Sequence, residues 1–451
     1  MRSSRSFVAF GQLALLTLAL VSCGGQMVPQ AQSGQTLSGQ PAPQAAGQIS
    51  TLKVRSGTTE ADLLSRYPGS KVLALHADEG YALLYSAGKL VDSQSQKMGT
   101  LSLNAQAVAV TITEPDLTLT TSVTDPAAEA QGNTAWAGGN TAWAGGNTAW
   151  AGGTSTGGTI NALNDNAAAW TKLDLGSAQK LALTLGTGVR VAVLDTGVDS
   201  DHPAFGGRID VGSGWDYVGN DGLPQEENWA TTGYSKAYGH GTAVAGVILQ
   251  VAPNAVIMPY RVLNPNGAGR LSNIILAVND AVSHSAKVIN MSLGTTTASP
   301  ALSSAISSAI RSGAMVVASS GNSGDTNVTY PARYSADMQV TLGGGLLSVA
   351  SVSGTDQKSS FSTYGPSIDL VAPGEAVAST FPKGQSTRAT GTSFAAPMVS
   401  GAVALAMGGG RTDPIALYKA MKLSATAPTD TLFLNLLGKG TLNIGKLMVT
   451  K

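Results

Sequence analysis

Short apolar runs alternate with amphipathic stretches through the second half of the chain. Residues 189–194, 256–258, 287–291 and 314–318 are each almost continuously apolar. Strands that read this way are buried on both faces, as in a parallel sheet covered by helices. Between them, 271–285 and 300–312 carry helical spacing, and a further helix is expected from Ser393 through Leu405. Alternating strand and helix predict an α/β fold, a doubly wound parallel sheet flanked by helices, with its site at the carboxyl ends of the strands.

The first third reads differently. A strand at 52–54, a short helix at 59–67 and a hairpin over 71–85 that turns near Asp78-Glu79-Gly80 precede a β-branched strand at 107–113. This predicts a small α+β unit over 49–118, ending in Glu114-Pro115-Asp116. Residues 119–160 form a linker in which Asn-Thr-Ala-Trp-Ala-Gly-Gly occurs three times, at 133–139, 140–146 and 147–153. Repeats this short and Gly-rich cannot stack into a solenoid core, which takes about 20 residues per repeat. They read either as a flexible linker or as an adhesive segment built on Trp136, Trp143 and Trp150. The α/β unit then runs over 161–451.

The start of the chain adds a destination. Arg2 and Arg5 precede an apolar stretch at 7–21, too short to span a membrane and suited to a secretory signal over 1–22. It ends in Leu20-Val21-Ser22-Cys23, and Cys23 is the chain's single cysteine, so internal disulfides are excluded. Leu20-Val21-Ser22-Cys23 resembles the lipobox of bacterial lipoproteins, in which the cysteine is lipidated; a plain signal peptide is the alternative. Residues 23–48, rich in Gln, Gly, Ala, Ser and Pro, predict a disordered tether. The chain is expected to be an exported cell-envelope lipoprotein or secreted, touching a membrane only through a lipid. The 27 basic and 27 acidic residues cancel, which leaves no basic field for nucleic acid.

Three segments carry chemistry: Val193-Leu194-Asp195-Thr196-Gly197, Gly239-His240-Gly241-Thr242 and Gly391-Thr392-Ser393-Phe394-Ala395. Each places one acid, base or nucleophile beside a Gly-rich turn, in the order Asp, His, Ser. That order is the one found in subtilisin among unrelated Ser-His-Asp enzymes. Of four histidines, only His240 has glycine on both sides. Over roughly 50–450 the chain resembles a subtilisin-like serine protease, a subtilase.

The resemblance implies a subtilisin-like fold preceded by an inhibitory pro-domain at 49–118, with an unrelated adhesion module as its alternative. It implies that Asp195 orients His240, that His240 serves as base and then acid, and that Ser393 attacks the peptide carbonyl. Asn322, in Ser320-Gly321-Asn322-Ser323-Gly324, matches the oxyanion-hole residue. Ser292-Leu293-Gly294 matches one wall of the primary specificity pocket and Ser319-Ser320-Gly321 the other, with Thr329 near its floor. Uncharged walls predict apolar or aromatic preference. Pro397 is expected in a first helical turn, where no helical donor is lost. The polypeptide substrate and the chain's own pro-domain are the expected partners, and a monomer is expected.

No cofactor is required on this reading. The calcium loop that interrupts the helix after the histidine in many subtilases has no room here, because 247–250 runs straight into Val251-Ala252-Pro253. Asp216, Asp221, Glu226 and Glu227 leave another oxygen site open, but a solvated loop is the expectation for them, and no metal site is expected. The cut that would remove the pro-domain falls between 117 and 165. Two other classes stay in view: a non-catalytic surface-binding protein on the same scaffold, and a hydrolase of a different ester or amide.

Overall fold

A computed structural model describes residues 47–93, 110–120, 164–231 and 235–450. The expected signal segment with Cys23, nearly all of the tether and the Trp repeats lie outside the described residues.

The N-terminal unit consists of β1 (Gln48–Lys53), α1 (Glu60–Arg66), β2 (Lys71–His76), β3 (Tyr81–Ser86) and β4 (Val110–Pro115). Its strands form one antiparallel sheet in the order β2-β3-β1-β4. Helix α1 starts where expected because Thr59 and Asp62 satisfy each other's backbone donors in a capping box. The hairpin turns at Gly80, whose left-handed φ of 82° suits glycine. One sheet face, with Leu52, Ala82 and Leu84, closes over Leu63 and Tyr67. The other face, with Ile49, Leu73 and Leu83, joins the core of the main body.

Strand β5 (Thr118–Thr120) is followed by α2 (Ala167–Lys172), α3 (Leu175–Leu181), β6 (Arg190–Asp195), β7 (Trp215–Asp216), α4 (His240–Val251), β8 (Val256–Arg261) and β9 (Ala268–Arg270). Then come α5 (Leu271–Ser283), β10 (Val288–Met291), α6 (Pro300–Arg311), β11 (Met315–Ser319) and α7 (Ser335–Thr341). The chain continues with β12 (Leu346–Val352), β13 (Leu370–Pro373), the hairpin β14 (Val377–Phe381) and β15 (Gln385–Ala389), α8 (Thr392–Gly408), α9 (Pro414–Ser424) and α10 (Ile444–Val449).

Seven strands form a parallel sheet in the order β13-β12-β11-β10-β6-β8-β7. Side-chain alternation along β6 explains why it is covered twice. Val191 and Val193 pack with α4 and α8, whereas Ala192 and Leu194 pack with α5 and α6. Strand β6 pairs with β8 on one side and β10 on the other, so chain direction around the sheet reverses there. Crevices at such switch points hold the sites of open α/β sheets.

The N-terminal unit docks on α5 and α6 through its closing tripeptide. Glu114 Oε1 accepts the Ala301 N–H at 2.8 Å, in the first turn of α6. Asp116 accepts both the backbone N–H and the hydroxyl of Ser272 at 2.8 Å, in the first turn of α5, with Arg270 at 3.4 Å. Carboxylates at helix N-termini meet unpaired donors and the positive dipole end. His76 bonds Ser308 at 2.9 Å, Glu79 pairs with Arg311 at 2.8 Å, and Tyr81 donates to the Ser304 carbonyl. Beyond Asp116, β5 pairs antiparallel with β9, Leu119 opposite Gly269.

Candidate active site

Asp195 ends β6 at the switch point, fully buried. His240 opens α4 immediately after Gly239, and its Nδ1 lies 2.6 Å from Asp195 Oδ1. The same oxygen accepts the Thr196 N–H at 2.8 Å. The approach depends on Gly241: a Cβ there would stand 2.1 Å from the Gly197 carbonyl oxygen and 3.1 Å from Asp195 Cβ. A bound Nδ1 leaves Nε2 as the imidazole's other functional atom.

Ser393 is the second residue of α8, and the ring of the next residue, Phe394, lies 5.5 Å from the His240 ring centroid. Ser393 Oγ is 3.5 Å from the Ser292 carbonyl. Ser292, just past β10, donates its own hydroxyl to the Ser393 carbonyl at 3.0 Å. This bond corrects the expectation for Pro397. The proline is the sixth residue of α8, in its second turn, so it removes the N–H that would bond Ser393 in the helical ladder. Ser292 supplies the missing donor.

Asn322 follows β11 and is held by residues of the serine segment. Its Oδ1 accepts from Thr392 N at 2.9 Å and from Thr392 Oγ1 at 2.8 Å. With the oxygen so engaged, the amide NH₂ faces the chain before Ser393: a Cβ on Gly391 would approach Nδ2 to 3.0 Å. Gly391 also has a φ of 151°. Thr392 was not singled out from sequence, although it sits inside the Gly-Thr-Ser segment.

The two expected pocket walls are brought together. Leu293, Ser319 and Ser320 are buried, and Ser320 Oγ is turned to the Thr363 carbonyl at 3.0 Å. Thr329 lies between the walls, bonded to the Ser320 carbonyl at 3.1 Å. A Cβ on Gly294 would come within 2.5 Å of Thr329 Oγ1, and one on Gly321 within 3.0 Å of its methyl.

The carboxylates between Asp195 and His240 do not form the expected solvated loop. Asp216 is buried and pairs with buried Arg261 at 2.7 Å, and Glu227 meets the same guanidinium at 2.5 Å. Of Asp216, Asp221, Glu226 and Glu227, Asp221 and Glu227 are exposed. Glu226 sends its carboxyl group inward, beneath Asp195 and His240. Its Oε2 accepts Gly239 N–H at 2.9 Å; its Oε1 accepts from Thr242 N at 3.1 Å, Thr242 Oγ1 at 3.2 Å and Thr196 Oγ1 at 3.0 Å. Burial pushes its pKa up to about 8, with the Asp195 charge adding to the rise and the Gly239 and Thr242 N–H bonds opposing it. Among the described residues no group of three or more His, Cys, Asp or Glu could hold a metal ion. Helix α4 continues unbroken to Val251.

An aspartate–imidazole pair at the switch point, beside a helix-opening serine, defines a class, and comparison with known proteins agrees with it. A family model described as the subtilase family, Peptidase S8, matches residues 186–440. The chain belongs to the subtilase family, and it is a subtilisin-like serine endopeptidase. It is 39% identical over 237 residues to thermitase of Thermoactinomyces vulgaris, covering 50% of this chain and 77% of thermitase. It is 36% identical over 274 residues to subtilisin Savinase of Lederbergia lenta, covering 57% of this chain and 90% of that one. To subtilisin E of Bacillus subtilis it is 38% identical over 233 residues, spanning 55% of that relative's length. Among solved structures, a cold adapted subtilisin-like serine proteinase matches at 34% identity and a TM-score of 0.48, over 57% of this chain and 88% of that one.

Proposed function

We propose that Asp195, His240, Ser393 and Asn322 form the working site of an exported, self-processed endopeptidase. The 2.6 Å bond between His240 and Asp195 carries this reading. Nδ1–H given to Asp195 fixes the tautomer, so Nε2 takes the Ser393 hydroxyl proton as Oγ attacks the scissile carbonyl. The tetrahedral oxygen is stabilised by the Asn322 amide and the Ser393 N–H. His240 then passes its proton to the departing amine, leaving an acyl-enzyme that water hydrolyses by the reverse sequence. Ser292, Leu293 and Gly294, facing Ser319, Ser320 and Gly321, receive the residue before the scissile bond. No charge lines either wall, which favours apolar residues over Lys or Arg. Inhibitor-sensitive peptide hydrolysis by the wild type, absent in Ser393→Ala, tests the assignment.

The N-terminal unit acts as an intramolecular inhibitor. Support comes from its Glu114 and Asp116 caps and from β5, which adds a strand to β9 as an extended peptide substrate would. Strand β9 follows the loop in which Val262 and Leu263 donate to the Asp195 carbonyl, so β5 leads toward the cleft. Self-cleavage falls shortly after Thr120, at the near end of the range allowed by the sequence. Ser393→Ala should remain full length while the wild type loses the unit; equal processing of both would refute self-cleavage. Export rests on the 1–22 signal, and lipid attachment on Cys23. Among the described residues no helix is long and apolar enough to cross a membrane. A cut near 120 would release the catalytic unit from that lipid, which mass spectrometry of the mature N-terminus reads directly.

A further inference from the structure

Glu226 lies outside the three segments that carry the chemistry, yet its carboxyl group bridges two of them. On one side it holds Thr196, the residue after Asp195; on the other it holds Gly239 and Thr242, which flank His240 and Gly241. Thr196 is itself a bracket. Its N–H donates to Asp195 Oδ1, the oxygen that meets His240, and its hydroxyl accepts the Gly241 N–H at 3.0 Å. Thr242 Oγ1 in turn accepts the Asp199 N–H at 2.9 Å. Four donors from two chain segments thus converge on one carboxyl group, all within two residues of Asp195 or His240.

We infer that Glu226 is a positioning residue: it locks the turn after Asp195 to the first turn of α4, and so sets the short contact between Asp195 and His240. A group with a purely local capping role would need only Gly239 and Thr242. The bond to Thr196 is the one that ties the acid to the base. The titratable groups around it are Asp195 and His240, with Asp199 one bond away through Thr242 and Glu227 engaged by Arg261. A carboxyl that keeps its proton near neutrality, as burial favours here, leaves Asp195 as the negative charge next to the imidazole.

The inference rests on the proposed roles of Asp195, His240 and Ser393, so wild-type turnover sensitive to a serine-directed sulfonyl fluoride is established first. Its absence would overturn that underlying reading. Glu226→Ala and Glu226→Gln are then made in the full chain, allowed to mature, and assayed on a peptide anilide across pH. For Glu226→Ala the expected result is kcat lower by about 10²-fold, the size of a small misplacement of catalytic groups, with KM little changed. The acid limb of kcat/KM should move to lower pH, because an imidazolium less well held by Asp195 loses its proton sooner. Glu226→Gln keeps one acceptor oxygen and should fall between. A lower unfolding temperature with wild-type kcat and an unmoved acid limb would overturn the inference, leaving a cap and nothing more. Should Glu226→Ala fail to fold, Glu226→Gln carries the same readings: a displaced limb supports positioning, and a wild-type limb and kcat overturn it.

Discussion

The Ser292 hydroxyl donates to the Ser393 carbonyl at 3.0 Å, the one acceptor in the first turn of α8 that Pro397 deprives of a helical partner. The segment after β10 and the first turn of α8 are therefore joined by this buried bond and by the Ser393 Oγ contact with the Ser292 carbonyl. Ser292→Ala leaves the carbonyl unsatisfied and should cost about 1–3 kcal/mol of stability. Denaturant unfolding of the inhibitor-blocked enzyme measures this, and an unchanged midpoint would show that the bond contributes nothing.

Asn322 is oriented from one side by Thr392 N and Oγ1. Removing its amide in Asn322→Ala should lower kcat by about 10²–10³-fold with KM nearly constant, the size known for such a donor in subtilisin. Thr392→Val, which removes one of the two bonds that aim the amide, should give a smaller loss of the same kind. Steady-state kinetics on a peptide anilide checks both. A change confined to KM would contradict the oxyanion role.

Asp116 receives three donors from Ser272 and Arg270, and together with the Leu117 carbonyl, which accepts the Leu271 N–H at 2.8 Å, it links the N-terminal unit to the start of α5. Asp116→Ala in a Ser393→Ala background should loosen the unit, because buried donors lose a charged acceptor. Limited digestion with an added protease should then remove the unit roughly tenfold faster, as a loss of about 1.4 kcal/mol would give. Equal digestion rates would argue against docking through the cap.

Glu226 has its pKa pushed up to about 8 from a model-peptide value of 4.5. Between these limits the folded state holds a proton that the unfolded chain has lost, so stability falls as pH rises through the window and levels off above it. Glu226→Gln removes that slope. The unfolding temperature of the wild type should fall relative to that of the variant as pH rises from 5 to 9; parallel curves would contradict a buried neutral carboxyl.

Much of the candidate site was legible in the sequence because each residue proposed for it comes with its own local requirement. His240 needs small neighbours, and Gly241 is admitted by no other residue so close to Gly197. Asn322 and Ser393 sit at turns marked by glycine. The parallel strands were legible as apolar runs, but β12 and β13 contain Ser348, Ser351 and Pro373, and their burial depends on tertiary packing. The loop carboxylates were misread for a related reason. Charged residues are rarely buried unless paired, and the partner of Asp216 and Glu227 is Arg261, far along the chain at the end of β8. Nothing local announces that pairing, nor the inward turn of Glu226. Pro397 lies past the first four helical positions whether the helix opens at Thr392 or at Ser393, so its lost donor is made good by Ser292, a long-range contact that no local pattern shows.

The most direct measurement is the site of covalent modification. Mature enzyme treated with a serine-directed sulfonyl fluoride and mapped by mass spectrometry should carry one sulfonyl group, on Ser393, in proportion to lost peptidase activity. His240→Ala should remain unlabelled under the same conditions. Full activity with Ser393 modified, or loss of activity that tracks a different serine, would contradict Ser393 as the nucleophile that Asp195 and His240 serve.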